Sequence, residues 1–308
     1  MTTQSQTLPG SSAPSLRVAL EIPLARRFYW ALRREFWENR AIYIAPLTAS
    51  AIGLFGFLLT LIHLPQRIRA ASALGSMQLH DVIEMPYDTV AAMLMGTFLL
   101  VLLFYCIEAL QRERRDRSIL FWKSLPVSDL ITVAAKTAIP FVVLPLLTVA
   151  LTVATHFIML LVSSMVLAGS GLSVAAYWTQ VSFVRMSFLL LYHVMTVHVL
   201  WSAPIYGWLL LVSAWAPRAP FLWAVLPPLA IGVLEKLVFN TTHFAAFLAH
   251  FVTGGTEGVY APATMPMDPS AHVTPLRFLS VPGLWIGLAV TVLFLALVVR
   301  LRRYREPM

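Results

Sequence analysis

The sequence predicts an all-α membrane protein of about six transmembrane helices, and three observations carry the prediction. Hydrophobic residues make up 59% of the 308 and charged residues only 12%, against roughly 45–50% apolar and ~25% charged in a soluble domain. Several uncharged runs reach the length of about 20 residues that crosses a ~30 Å hydrocarbon layer at ~1.5 Å per residue. Lysine and arginine gather at the connections that one side of a membrane would receive.

Residues 1–16 are polar and rich in Ser, Thr and Pro. They lack the apolar core of a cleavable secretory signal and are expected to form a disordered tail. Residues 17–40 are expected to form an amphipathic interfacial helix. Leu24, Phe28, Leu32 and Phe36 share one face at helical spacing, and Arg26, Arg27, Arg33 and Arg34 lie opposite, the pattern of a helix lying in the headgroup layer. Trp30 and Trp37 fall on its basic side.

The transmembrane domain is expected over 41–308. Its first span is 41–64, and a polar stretch with Pro65, Asp81, Glu84, Pro86 and Asp88 leads to the second, 89–107. Segment 111–129 is the most charged in the chain and must lie in water or at the headgroups. The third span, 130–167, would be ~57 Å long as helix, too long for one crossing. Its start is therefore expected to protrude, with Pro140 and Pro145 permitting a bend. The fourth span, 186–215, and the fifth, 221–239, are parted by Ala216-Pro217-Arg218-Ala219-Pro220, whose prolines end one and start the other. Within 240–277 the apolar piece 243–252 is too short to span, so a re-entrant or interfacial extracellular hairpin is expected. The sixth span, 278–299, is closed by Arg300, Arg302, Arg303 and Arg305.

With both termini cytoplasmic, 17 of the 22 lysines and arginines fall on the inner side, and Arg67, Arg69, Arg185, Lys236 and Arg277 remain outside. That asymmetry supports six spans in an inner (plasma) membrane. The net charge of +8 then reads as attraction to anionic lipids and not to nucleic acid. The single cysteine, Cys106, lies in an apolar run and excludes an intramolecular disulfide.

The stretch Glu113-Arg-Arg-Asp-Arg-Ser-Ile-Leu-Phe-Trp-Lys-Ser-Leu-Pro-Val-Ser-Asp129, followed by Lys136, resembles the cytoplasmic segment after the second span of ABC-2 type transporter permeases. Beyond these ~25 residues the resemblance is one of layout: a basic interfacial helix, six spans and an apolar hairpin before the last. Independently of the name, Ser118, Ile119, Leu120, Phe121, Trp122, Lys123, Ser124 and Leu125 can form two helical turns stopped by Pro126, a short apolar helix suited to a groove on a soluble partner. The resemblance implies that this partner is an ABC ATPase subunit and that the turns are the coupling helix. It also implies a second permease chain, like or unlike, with substrate passing between the two, and export as the commoner direction.

The phosphate cradle G-x-x-x-x-G-K-[ST] is absent from the chain, as are G-x-S-x-G and H-E-x-x-H. The chain is therefore expected to be no enzyme and to hold no cofactor, with ATP and Mg bound by the partner ATPase. His156, His193 and His198 fall inside spans, and intramembrane ionisable groups are costly enough to be functional candidates. They motivate the alternative of an ion- or proton-coupled secondary transporter, although residues five apart do not share an α-helical face closely. His243 and His250 would share a face, with Glu257 and His272 nearby in sequence, but the spacing matches no zinc motif. Gly283 and Gly287 form G-x-x-x-G, which can allow close helix contact.

Overall fold

The computed structural model describes residues 23–115, 128–253 and 278–304, and every regular element among them is helical. Six stretches are long and apolar enough to cross a membrane: Ala41–Leu61, Val82–Arg115, Asp129–Gly169, Val174–Trp201, Pro220–Phe239 and Pro282–Tyr304. This is the make-up of a multi-pass membrane protein. The tail 1–16, the coupling turns 118–126 and residues 254–277 of the hairpin region lie outside the described residues.

Helix α1, Leu24–Glu38, precedes the first long helix, α2, Ala41–Leu61. The polar stretch that follows is helical, in α3, Leu64–Leu74, and the first turns of α4, Ser76–Glu108. Gly75, at φ 131°, makes the turn between them in a conformation that side-chain-bearing residues rarely adopt. Helix α4 therefore runs for 33 residues, well beyond the 89–107 read from hydropathy, because hydropathy ends a span at the first charges while helix propensity does not. After α4 comes the short α5, Gln111–Arg115.

The third long helix behaves as its prolines require. Helix α6, Asp129–Ala138, passes through a π-helical segment, Ile139–Val143, into α7, Leu144–Gly169. Pro140 has no N–H to offer the carbonyl of Lys136, and the loosened backbone relaxes into the π turn. The Lys136 carbonyl accepts instead from the Tyr105 hydroxyl at 3.3 Å.

The run 186–215 is interrupted, unlike the single span expected. Helix α8, Val174–Val181, ends at Ser182, whose φ is 45°. Helix α9, Phe183–His193, continues as a second π-helical segment, Val194–Trp201, and the chain turns at Ser202 before α10, Ala203–Trp215. Pro204 in the first turn of α10 withholds a donor from Leu200, which permits the break. Then come α11, Pro220–Phe239, α12, His243–Thr253, and α13, Pro282–Tyr304.

Packing is tightest where α10 meets α13. A Cβ on Gly207 would stand 3.4 Å from Phe294 and Thr291, and one on Gly287 would stand 3.0 Å from Pro204 and 3.1 Å from Phe251. The second glycine of G-x-x-x-G thus sits at a close approach of α13 to α10 and α12. A core around Phe98, Leu102, Cys106, Leu209 and Val298 lies at one end, and another around Phe57, Tyr87, Leu94, Met159 and Leu160 at the other. Between them α7 buries Thr148, Thr152, Thr155, His156 and Ser163 on one face. Thr148, Thr152 and Thr155 donate to carbonyls one turn back, and the His156 Nε2 contacts the Tyr87 carbonyl at 3.0 Å, so these four buried polar residues are each hydrogen-bonded.

Candidate functional site: a buried ion network at the charged end

Three carboxylates and three cations meet where α1, α5, α6 and α13 converge. Glu35 is fully buried on α1. Its Oε1 accepts from Lys136 Nζ at 2.8 Å and from Arg34 Nη2 at 3.0 Å, and its Oε2 from the Tyr105 hydroxyl at 3.0 Å. Glu113 on α5 lies 3.0 Å from Arg34 Nη2 and 3.2 Å from Lys136 Nζ by Oε1, and accepts from Arg302 Nη1 at 2.6 Å by Oε2. Arg302 Nε donates in turn to Asp129 Oδ1 at 3.0 Å. Lys136 and Arg302 are buried like Glu35 and Glu113, whereas Asp129 is partly exposed. A charge so buried is tolerated only when paired and hydrogen-bonded on all sides.

One consequence concerns segment 111–129. Glu113 and Asp129 stand at its two ends, and one guanidinium, that of Arg302 from the last helix, holds both. The two ends of the segment are thereby tied to one side chain.

The entry side is held a second way. Ser213 Oγ accepts from the backbone N–H groups of Leu110 and Gln111 at 3.0 and 3.2 Å, satisfying donors at the start of α5. Arg114 Nη2 donates to the carbonyls of Ser213 and Ala216 at 2.9 and 2.8 Å. The residues four beyond these carbonyls are Pro217 and Pro220, which have no N–H to give. The prolines read as separators of two spans thus also leave the acceptors that Arg114 takes, at the negative end of α10. On the return side Ser128 Oγ accepts from the Ile131 N–H at 3.3 Å and caps α6.

The residues read as an interfacial helix divide between two faces of α1. Leu32 and Phe36 pack against the core of the charged end and Phe28 is half-buried, so this part of the apolar face meets protein, while Leu24 at its start is exposed. Arg26 is exposed, and Arg33 lies over the rings of Trp30 at 5.1 Å and Trp37 at 4.7 Å. The outward face is thus the aromatic one, with Tyr29, Trp30 and Trp37 exposed. Glu38 sits at the network's rim. Burial holds its carboxyl above the usual range, with Arg34 pulling the other way and Glu35 adding to the rise.

Sequence reasoning passed over Glu35, Tyr105 and Arg302 as partners. The available signal was Glu35, a lone carboxylate on the apolar face of a basic helix, and Lys136, a lone cation inside an uncharged run.

The histidines are also differently disposed. His193 and His198 have ring centroids 5.1 Å apart, and Phe98 lies 5.9 Å from His198. The reading that residues five apart do not share a face holds for an α-helix. Here the pair enters a π-helical segment, whose i→i+5 bonding brings such residues together. Glu257 and His272 lie outside the described residues, and no group of three metal-ligating side chains occurs among those described.

Fold and site together define an all-helical, multi-pass membrane protein with a buried ion network at one end of its bundle. Comparison with family models, curated proteins and solved structures found no match to the chain.

Proposed function

We propose that the chain is the membrane-spanning permease subunit of an ATP-binding-cassette transporter of the ABC-2 type, working as an exporter. In this reading the charged end and both termini face the cytoplasm, and segment 111–129 projects there to dock an ATPase subunit that binds the ATP and Mg. A second permease chain would complete the substrate pathway. The chain itself would carry out no catalysis.

The observation that carries the reading is the clamp. A lever must be fixed at its base to transmit force; Glu113 and Asp129 are both tied through Arg302 to the last helix, and Glu113 also through Arg34 and Lys136 to α1 and α6. Movement of a docked segment would therefore reach these three helices at once. The test is purification of the tagged full-length chain from its native membrane in mild detergent. An ATPase with a Walker A motif should travel with it in stoichiometric amount, and its absence under conditions that preserve the fold would contradict the proposal.

A second reading, a proton-coupled secondary transporter, rests on the His193–His198 contact. It predicts loss of transport when the proton gradient is collapsed while ATP persists; the permease reading predicts that transport continues.

A further inference from the structure

We propose that the outward face of α1 recruits anionic phospholipid headgroups through a stripe of alternating arginine and tryptophan. Arg26, Trp30, Arg33 and Trp37 follow one another at steps of four, three and four residues, which sets all four on one side of an α-helix. That side lies opposite Leu32, Glu35 and Phe36, which are turned into the protein. Trp30 and Trp37 are exposed, and the Arg33 guanidinium lies over both rings at 5.1 and 4.7 Å, a cation–π arrangement. Arg40 follows in the link to α2. Trp37 lies four residues before Ala41, where the first apolar span begins, which is about 6 Å of helix. The end of the stripe is thus held at the depth of the headgroups.

The positive charge of this face is uncompensated. Among the described residues Arg26, Arg33 and Arg40 take part in no ion pair. The described carboxylates of the same end are occupied elsewhere: Glu35 by Arg34 and Lys136, Glu38 by Arg34 at 3.6 Å, Glu108 by Arg112, and Glu113 and Asp129 by Arg302. The ion network therefore consumes the acidic groups and leaves arginine outward. A guanidinium pairs well with a phosphate, and an indole ring is at home at headgroup level, where its apolar body and its N–H are both served. An acidic soluble protein would answer the charge alone. The lipid surface answers the charge, the rings and the adjoining span together, and basic segments beside a span draw anionic lipid. This inference goes beyond the proposed function and requires no ATPase.

The experiment places a thiol-linked fluorophore on the full-length chain at Tyr29→Cys, an exposed position beside the stripe, with the unsubstituted chain as the control for labelling of the buried Cys106. In phosphatidylcholine liposomes, quenching is compared between brominated phosphatidylglycerol and brominated phosphatidylcholine at the same low fraction, and with aqueous iodide. Phosphatidylglycerol is expected to quench as a lipid associating at least about fivefold more tightly than phosphatidylcholine. Adding Arg26→Gln with Arg33→Gln should bring that ratio below about twofold. Arg67→Gln, at an exposed arginine on α3, should leave it unchanged. Equal quenching by the two lipids, or a folded double variant that keeps the preference, would overturn the proposal. So would quenching by iodide alone, which would mean that the face lies in water and is open to a soluble partner. The preference measured with the arginines intact decides the matter even if the double variant fails to fold.

Discussion

Glu113 carries more of the charged end than any neighbouring residue, since Arg34, Lys136 and Arg302 all lie against its two oxygens. Replacing it with Ala would leave three cations sharing Glu35 and Asp129 in a buried site. Breaking a buried pair from one side costs about 3–5 kcal/mol, because the remaining charge has already lost its water. Glu113→Ala should therefore lower stability by about that amount in thermal unfolding of the purified chain. Arg112 offers the contrast, since its partner Glu108 is half exposed. Arg112→Ala should cost no more than about 1 kcal/mol, and equal losses from the two variants would contradict the burial argument.

At the scale of elements, helices meet where side chains are smallest. A Cβ at Gly287 would press on Pro204 and Phe251 at 3.0 and 3.1 Å, whereas one at Gly56 would meet nothing within 4 Å. Gly287→Ala should destabilise by about 1–3 kcal/mol through overpacking, and Gly56→Ala should shift stability by less than about 1 kcal/mol. Unfolding of the two variants in one detergent would compare them directly. The long apolar helices are legible from hydropathy, and the unusual length of the third from its uncharged run. What was not legible depends on partners distant in sequence. Glu35 and Lys136 are 101 residues apart, and Arg302 and Glu113 are 189 apart, so no local pattern pairs them. The π-helical segments are hidden for another reason: a period of 3.6 does not describe stretches where Pro140 and the Ser202 break change the local hydrogen bonding. For α1, a stripe of apolar residues does not say whether lipid or protein covers it.

At the scale of the whole molecule, the proposed orientation assigns the ion network and the clamp to one side of the membrane. Single cysteines introduced at Ser118 and Arg303 should be labelled by an impermeant thiol reagent only from the cytoplasmic side, and those at Thr256 and Asp268 only from outside. Labelling of Ser118 and Arg303 from opposite faces would contradict the six-span arrangement. The central claim is that the segment between Glu113 and Asp129 docks an ATPase, and Trp122 and Leu125 are the apolar anchors expected at the centre of such an interface, where each such residue contributes roughly 2 kcal/mol or more. The most direct measurement is the amount of ATPase retained on the tagged chain when both are changed to Ala. The account predicts that Trp122→Ala with Leu125→Ala releases the ATPase while the chain remains folded and in the membrane; retention at wild-type level by that folded variant would contradict it.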